Sequence, residues 1–224
     1  MNADVALFSA AVVGMAAGAA LIPLTRHQLA AATVRAADAG LEADVPMMSR
    51  WQWVVLVGTS GLLPAIVWRS VGGPIAVPPL LLLLGLIQLA YCDATRRLLP
   101  KVLVHGVNAA VVLSGIVIAW DVGEWDRLWT ASIAGGAFFV ILFAMNLMNP
   151  RWMAFGDVRL SPAVGFGLAW IGVNALIEGF FVANALAAVI GLSLIALHRA
   201  TRKSALPFGL YLALGTGITI LAWT

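Results

Sequence analysis

Charge is scarce in this sequence. Asp, Glu, Lys and Arg make up 10% of its 224 residues, against about 25% in an ordinary soluble domain. With 62% of its residues hydrophobic, the chain has too little polar side chain to clothe a soluble core, which makes it a polytopic membrane protein. Cysteine is almost missing as well. The single Cys92 excludes a disulfide framework and a Cys-based zinc site. A basic patch interleaved with aromatics is also lacking, so the net charge of +3 does not point to nucleic acid. The opening "MNADVALFSAAVVGMAAGAALIPLT" has no basic n-region, and its early charge is Asp4. It is long and apolar enough to span, so it is expected to be a retained first transmembrane helix rather than a cleaved signal. No internal repeat and no large polar segment interrupts the chain. Residues 1–224 are therefore expected to form one membrane-embedded domain, with 26–50 as a short cytoplasmic loop.

Long apolar runs are what the sequence has in quantity. A helix needs roughly 20 mainly apolar residues to cross the hydrocarbon core. About eight segments qualify: Val5–Leu24, Trp51–Trp68, Pro74–Cys92, Val102–Trp120, Trp129–Met148, Val158–Gly172, Val173–Leu197 and Pro207–Trp223. The fold class is an all-α transmembrane bundle. The weakest division is between the sixth and seventh spans, where "GLAWIGVNALIEG" carries little turn chemistry. Basic residues orient the bundle. With the N-terminus outside, only Arg69 and Arg127 of the 13 Lys and Arg fall in outside loops, a strong positive-inside bias. The outside loop "DVGEWDR" is acidic, and Trp51, Trp120, Trp129 and Trp223 stand at span ends, where amphipathic rings suit the headgroup region.

Two aspartates stand out against this background. Asp93 closes the third span in "YCDATRRLLPKVLVHG", and Asp157 opens the sixth in "NPRWMAFGDVRLSPAVGFG". Both fall on the inner side at similar depth. Two carboxylates that meet can activate water. One stays ionised and takes the proton, while the other stays protonated and donates to a carbonyl oxygen, because close like charges do not readily both ionise. The plainer reading of Asp157 is a helix-start residue serving free N–H groups and the dipole. Paired membrane acids also suit a proton-coupled carrier, so a small transporter or a non-enzymatic membrane scaffold is the alternative class. Such a carrier favours acids near the midplane and helices broken in matched halves; here the acids lie at the inner edge. His105, His198 and Glu178 are read as interfacial polar residues. Cys92 is read as packing, and Asn146, Asn174 and Asn184 as candidates for interhelical bonds.

Three stretches, in order, resemble the type 4 prepilin peptidases. "YCDATRRLLP" is similar to their first aspartate motif, "AFGDVRL" to their Gly-x-Gly-Asp-x-Lys-Leu motif, and "LPFGLYLALG" to the Pro-Phe-Gly segment that starts their last helix. The resemblance covers most of the chain from about Trp51 onward. It implies an aspartic endopeptidase of the GxGD type that cuts the leader of prepilin or pseudopilin-like precursors on the cytoplasmic side of a prokaryotic inner (plasma) membrane. Asp93 and Asp157 would be its catalytic pair. Gly156, Arg159, Arg97, Pro100, Pro207 and Gly209 would support the loops or the substrate. No metal or other cofactor is implied for this chemistry. The chain departs from the family pattern at Ala154 for the first glycine, Arg159 for lysine, and Lys101 for the usual asparagine. Alanine resists the positive φ that glycine adopts. Many members also carry a zinc domain with paired CxxC motifs after the first helix. The corresponding loop here has no cysteine, so the resemblance implies a short form without the methylation step.

Overall fold

The computed structural model describes residues 73–96, 101–149, 155–198 and 208–223. The first two expected spans and the 26–50 loop lie outside these, as do the count of eight and the placement of the N-terminus. Among the described residues the structure is helical without strands. A 3-10 turn at Pro74–Ala76 leads into α1 (Val77–Arg96), followed by α2 (Lys101–Val122), α3 (Trp125–Met148), α4 (Phe155–Ile171), α5 (Val173–Ala196) and α6 (Phe208–Trp223). These match spans three to eight within a few residues. The largest differences are at α1, which runs one turn past Cys92 and takes Asp93 into the helix, and at α3, which starts one turn before Trp129.

Local chemistry explains the boundaries. Pro78 and Pro79 fall in the first turn of α1, where a missing N–H costs no helical bond. Gly123 ends α2 with φ 83, and its N–H donates to Ala119 O at 3.0 Å, a left-handed helix stop. The division between α4 and α5 is a single residue. Gly172 N–H donates to Leu168 O at 3.1 Å and its own carbonyl accepts from Leu176 N–H at 3.4 Å. The helix therefore turns there without an intervening loop.

Helices α2, α3 and α5 are long and apolar enough to cross a membrane, as a multi-pass membrane protein requires. Trp120, Trp129, Ile133, Phe181, Val189 and Leu192 are among their exposed large apolar side chains, positions that suit lipid. Helix α4 is the opposite. Nearly every side chain from Asp157 to Trp170 is buried, so α4 is the centre of the bundle. Lipid tails give apolar helices no reason to prefer one another, so close packing between small residues has to do much of the work. At the α3–α4 crossing a Cβ on Gly165 would lie 2.8 Å from Gly135 Cα, and one on Gly135 would lie 3.0 Å from Pro162 O. Those obstacles are backbone and cannot swing aside. Phe138 of α3 and Phe180 of α5 add an edge-to-face pair at 5.4 Å, worth about 0.5–1.5 kcal/mol beyond area.

Side-chain bonds define one end of the bundle. Trp170 Nε1–H, at the end of α4, donates to Ile75 O before α1 at 3.0 Å. Arg127 of α3 donates to Trp170 O at 3.2 Å and pairs with Glu124 at 2.9 Å. Trp223, at the end of α6, donates to Glu178 of α5 at 2.6 Å. The starts of α1, α3 and α5 thus share this tryptophan end with the ends of α4 and α6. Helices α1 and α4 are therefore antiparallel, and the end of α1 and the start of α4 both lie at the other end of the bundle.

Candidate active site

That other end carries the two aspartates. Leu82 of α1 packs on Gly167 of α4, where an added Cβ would approach Leu82 Cδ2 to 2.6 Å. From that crossing, residue 93 is eleven positions further along α1 and residue 157 is ten positions back along α4. At 1.5 Å rise per residue the two steps are about 16 Å and about 15 Å in the same direction. The two positions therefore stand at nearly the same depth on neighbouring helices. Asp157 lies in the first turn of α4 and is 2% exposed. The side chain of Asp93 is outside the described residues; its backbone is in the last turns of α1.

One turn beyond Asp157, α4 is interrupted. Pro162 lies inside the helix and has no N–H for Val158 O. Interior proline costs a helix about 3 kcal/mol or more, and freed backbone groups in a membrane must be satisfied by neighbours. Ser161 Oγ–H does this for Val158 O at 2.7 Å. The next helical pair, Ala163 N–H and Arg159 O, is served by Asn108 of α2. Its Oδ1 accepts from Ala163 N–H at 2.8 Å, and its Nδ2 donates to Arg159 O at 2.8 Å. Nδ2 also donates to Val104 O in its own helix at 3.0 Å. Interhelical bonds of this kind average about 0.6 kcal/mol and reach about 1.7. At the average value the two interhelical bonds offset only part of what the proline costs.

The other expected site residues divide into three groups. Gly156 is in the first turn of α4 beside Asp157, and Gly209 is buried in the first turn of α6. Arg159 lays its guanidinium over the Phe155 ring at 4.4 Å, a cation–π contact within the same turn. Arg97, Pro100, Pro207 and Ala154 lie outside the described residues. Lys101 and His105 are exposed on α2, His198 is exposed after α5, and Cys92 is buried. Among the described residues no group of His, Cys, Asp and Glu that could hold a metal is present. Sequence reasoning missed Asn108. It singled out Asn184, which only bonds Phe180 O of its own helix at 2.7 Å, and Asn174, which is exposed. The available signal was an amide-bearing residue in the span after the first aspartate, opposite a proline in the span with the second. Gln88 was also missed. It is fully buried on α1, and among the described residues neither amide atom has a hydrogen-bond partner.

Known proteins bear on this arrangement. Three relatives, each called prepilin leader peptidase/N-methyltransferase, align with the chain. The protein of Aeromonas hydrophila is 28% identical over 183 residues, which is 80% of this chain and 60% of that protein. The one from Pseudomonas putida is 27% identical over 176 residues, covering 75% and 57%. The one from Aeromonas salmonicida strain A449 is 29% identical over 147 residues, covering 63% and 48%. The chain thus spans about half to three-fifths of the length of the relatives it matches. No solved structure matches it significantly. The model of the type IV leader peptidase family matches residues 80–195, a stretch that begins on α1, ends on α5 and contains both aspartates, and to that family this chain belongs.

Proposed function

We propose that this protein is an aspartic endopeptidase that removes the N-terminal leader of prepilin or pseudopilin-like precursors. The observation that carries the reading is the shared depth of positions 93 and 157 on adjacent antiparallel helices. A carboxylate in one role takes a proton from water, and the water oxygen bonds to the scissile carbonyl carbon. The protonated partner gives its proton to the carbonyl oxygen. The tetrahedral species then collapses. The C–N bond breaks, the leaving amine receives the proton held by the first carboxyl, and the hydroxyl proton released as the carbonyl re-forms returns to the partner carboxylate. Gly156 supports the loop or the substrate beside Asp157. Arg159, Arg97, Pro100, Pro207 and Gly209 support the loops around the pair. The reading covers peptide cleavage alone.

The working side is the cytoplasmic face of a prokaryotic inner membrane. Arg96, Lys101 and Arg159 belong to the aspartate end, while Asp121, Glu124, Asp126 and Glu178 belong to the tryptophan end. This polarity supports the assignment by the positive-inside rule. A carrier reading gains little, since Asp157 is at a helix start rather than near mid-span. The test is co-expression with a tagged prepilin-like precursor from the same genome, followed by gel shift. The native chain is expected to trim the leader. Asp93→Asn and Asp157→Asn are expected to accumulate in the membrane and leave it intact. Trimming that persists in either well-folded variant overturns the two-aspartate mechanism.

A further inference from the structure

Asn108 does more than join two helices, and the difference lies in where its bonds fall. Both N–H groups of its amide are used, on Val104 O and Arg159 O, and its oxygen is used by Ala163 N–H. The first of these ties the amide to its own helix and fixes its direction. The other two engage the donor and acceptor of one helical step of α4, the step beside the Pro162 gap. On the site side of that gap are only Phe155 to Ser161, the segment that carries Asp157. With no N–H at residue 162, the attachment of this segment to the rest of α4 is weakened at the place that Asn108 braces.

The neighbouring residue braces the other aspartate's helix. Val107 packs on Gly85 of α1, where an added Cβ would overlap its side chain. Residues 107 and 108 of α2 therefore touch α1 on one side and the α4 step on the other. This pair therefore contributes to the spacing between the two aspartate-bearing helices, beside the direct packing of Leu82 on Gly167.

We propose that Asn108 is a positioning residue for the Asp157 carboxyl, holding the first turns of α4 across the Pro162 gap at a fixed distance from α1. The proposal rests on the peptidase reading for its kinetic consequence and stands apart from it for its structural one. A displacement of about 1 Å at reacting groups costs up to about 10²-fold in rate, so a modest shift of this turn is enough to matter.

The test compares Asn108→Leu, which keeps the shape without the hydrogen bonds, with Asn108→Gln and with Trp170→Phe as a destabilised control at the far end. On a prepilin-like precursor, Asn108→Leu is expected to lower kcat by about 10- to 100-fold with KM nearly unchanged, and Asn108→Gln is expected to recover part of it. Trp170→Phe is expected to lower thermal stability and leave kcat alone. Should the leucine variant fail to accumulate, Asn108→Ala, which also removes the hydrogen bonds, carries the same comparison. A second readout needs no cleavage: the rate at which a hydrophobic carbodiimide labels Asp157, followed by mass spectrometry. It is expected to change in the Asn108 variants and not in Trp170→Phe. If the Asn108 variants lose stability while kcat and labelling match the native protein, Asn108 is a staple and the proposal falls. If the native chain cuts no precursor, the peptidase reading fails, and labelling alone still decides the role of Asn108.

Discussion

The two ends of α4 are held by different chemistry. At its C-terminal end Trp170 is 1% exposed, donates to Ile75 O and takes a bond from Arg127 through its own carbonyl. The Trp170 ring also stacks on Phe166 at 5.7 Å. Nothing in that half interrupts the helix. At the N-terminal end a proline removes a backbone donor, a serine hydroxyl covers the freed carbonyl, and one asparagine amide spans the next step. Asp157 is on the interrupted side. A membrane bundle gains stability from uninterrupted helices and close packing, so the contrast separates a half built for stability from a half in which another requirement competes with it.

The largest effect that tests this contrast is chemical. Losing a general acid or base costs about 10²- to 10⁴-fold in rate. Asp157→Asn and Asp93→Asn should therefore reduce leader cleavage by at least that range while thermal stability stays near native. A large loss of stability with each asparagine would instead make the two carboxyls structural.

Next in size is Pro162→Ala. Restoring the N–H lets residue 162 donate to Val158 O, and interior proline costs about 3 kcal/mol relative to alanine. Thermal or denaturant unfolding in detergent should show stabilisation of up to about that amount, with a fall in cleavage as the first turns become tied to the rest of the helix. The two halves of α4 would then resemble each other in stability, at the expense of function. Stabilisation without any change in cleavage would mean that the interruption has no part in the site.

Gln88→Leu comes third. The native amide is buried with both atoms unpaired among the described residues, and such a group costs about 1–3 kcal/mol. Leucine, of similar size and without those groups, should raise stability by about that amount. The informative companion measurement is cleavage by the same variant. A drop there would assign the amide to the substrate peptide, and an unchanged rate would leave it as a cost carried in the half of α1 nearer Asp93.

Most of the helical framework was legible because its signal is local and repeated. Apolar runs gave α1 to α6 within a few residues, and even the one-residue division at Gly172 was visible as a weak turn. Asp93 and Asp157, the pair proposed here, stand out in the sequence through their context in "YCDATRRLLP" and "AFGDVRL". Which helix lies at the centre was not. Helices α4 and α5 are both apolar along their length, yet α4 is buried nearly all round and α5 is largely exposed. Hydropathy cannot distinguish lipid from protein as a neighbour. Asn108 was illegible for a related reason. Its partners are 51 and 55 residues away, and an asparagine in an apolar run looks the same whether it bonds its own helix, as Asn184 does, or repairs another.

The smallest effect should come from Glu178 at the tryptophan end. Its carboxylate accepts the indole N–H of Trp223 at 2.6 Å, a short and charge-assisted bond. Distance alone suggests importance, and surroundings argue against it. Both residues are exposed, so water can replace either partner, and exposed pairs contribute about 0.2–1 kcal/mol. The rest of that end remains in place without it, since Trp170 and Arg127 hold α1, α3 and α4 by separate bonds. Glu178→Ala is therefore expected to lower unfolding stability by less than about 1 kcal/mol and to leave cleavage unchanged. A comparable loss of hydrogen bonding at Asn108 is expected to act the other way, weakly on stability and strongly on rate. If Glu178→Ala instead impaired cleavage as Asn108→Leu should, the two ends of the bundle would be coupled through α5 and α6, and the separation of a stabilising half from a working half would fail.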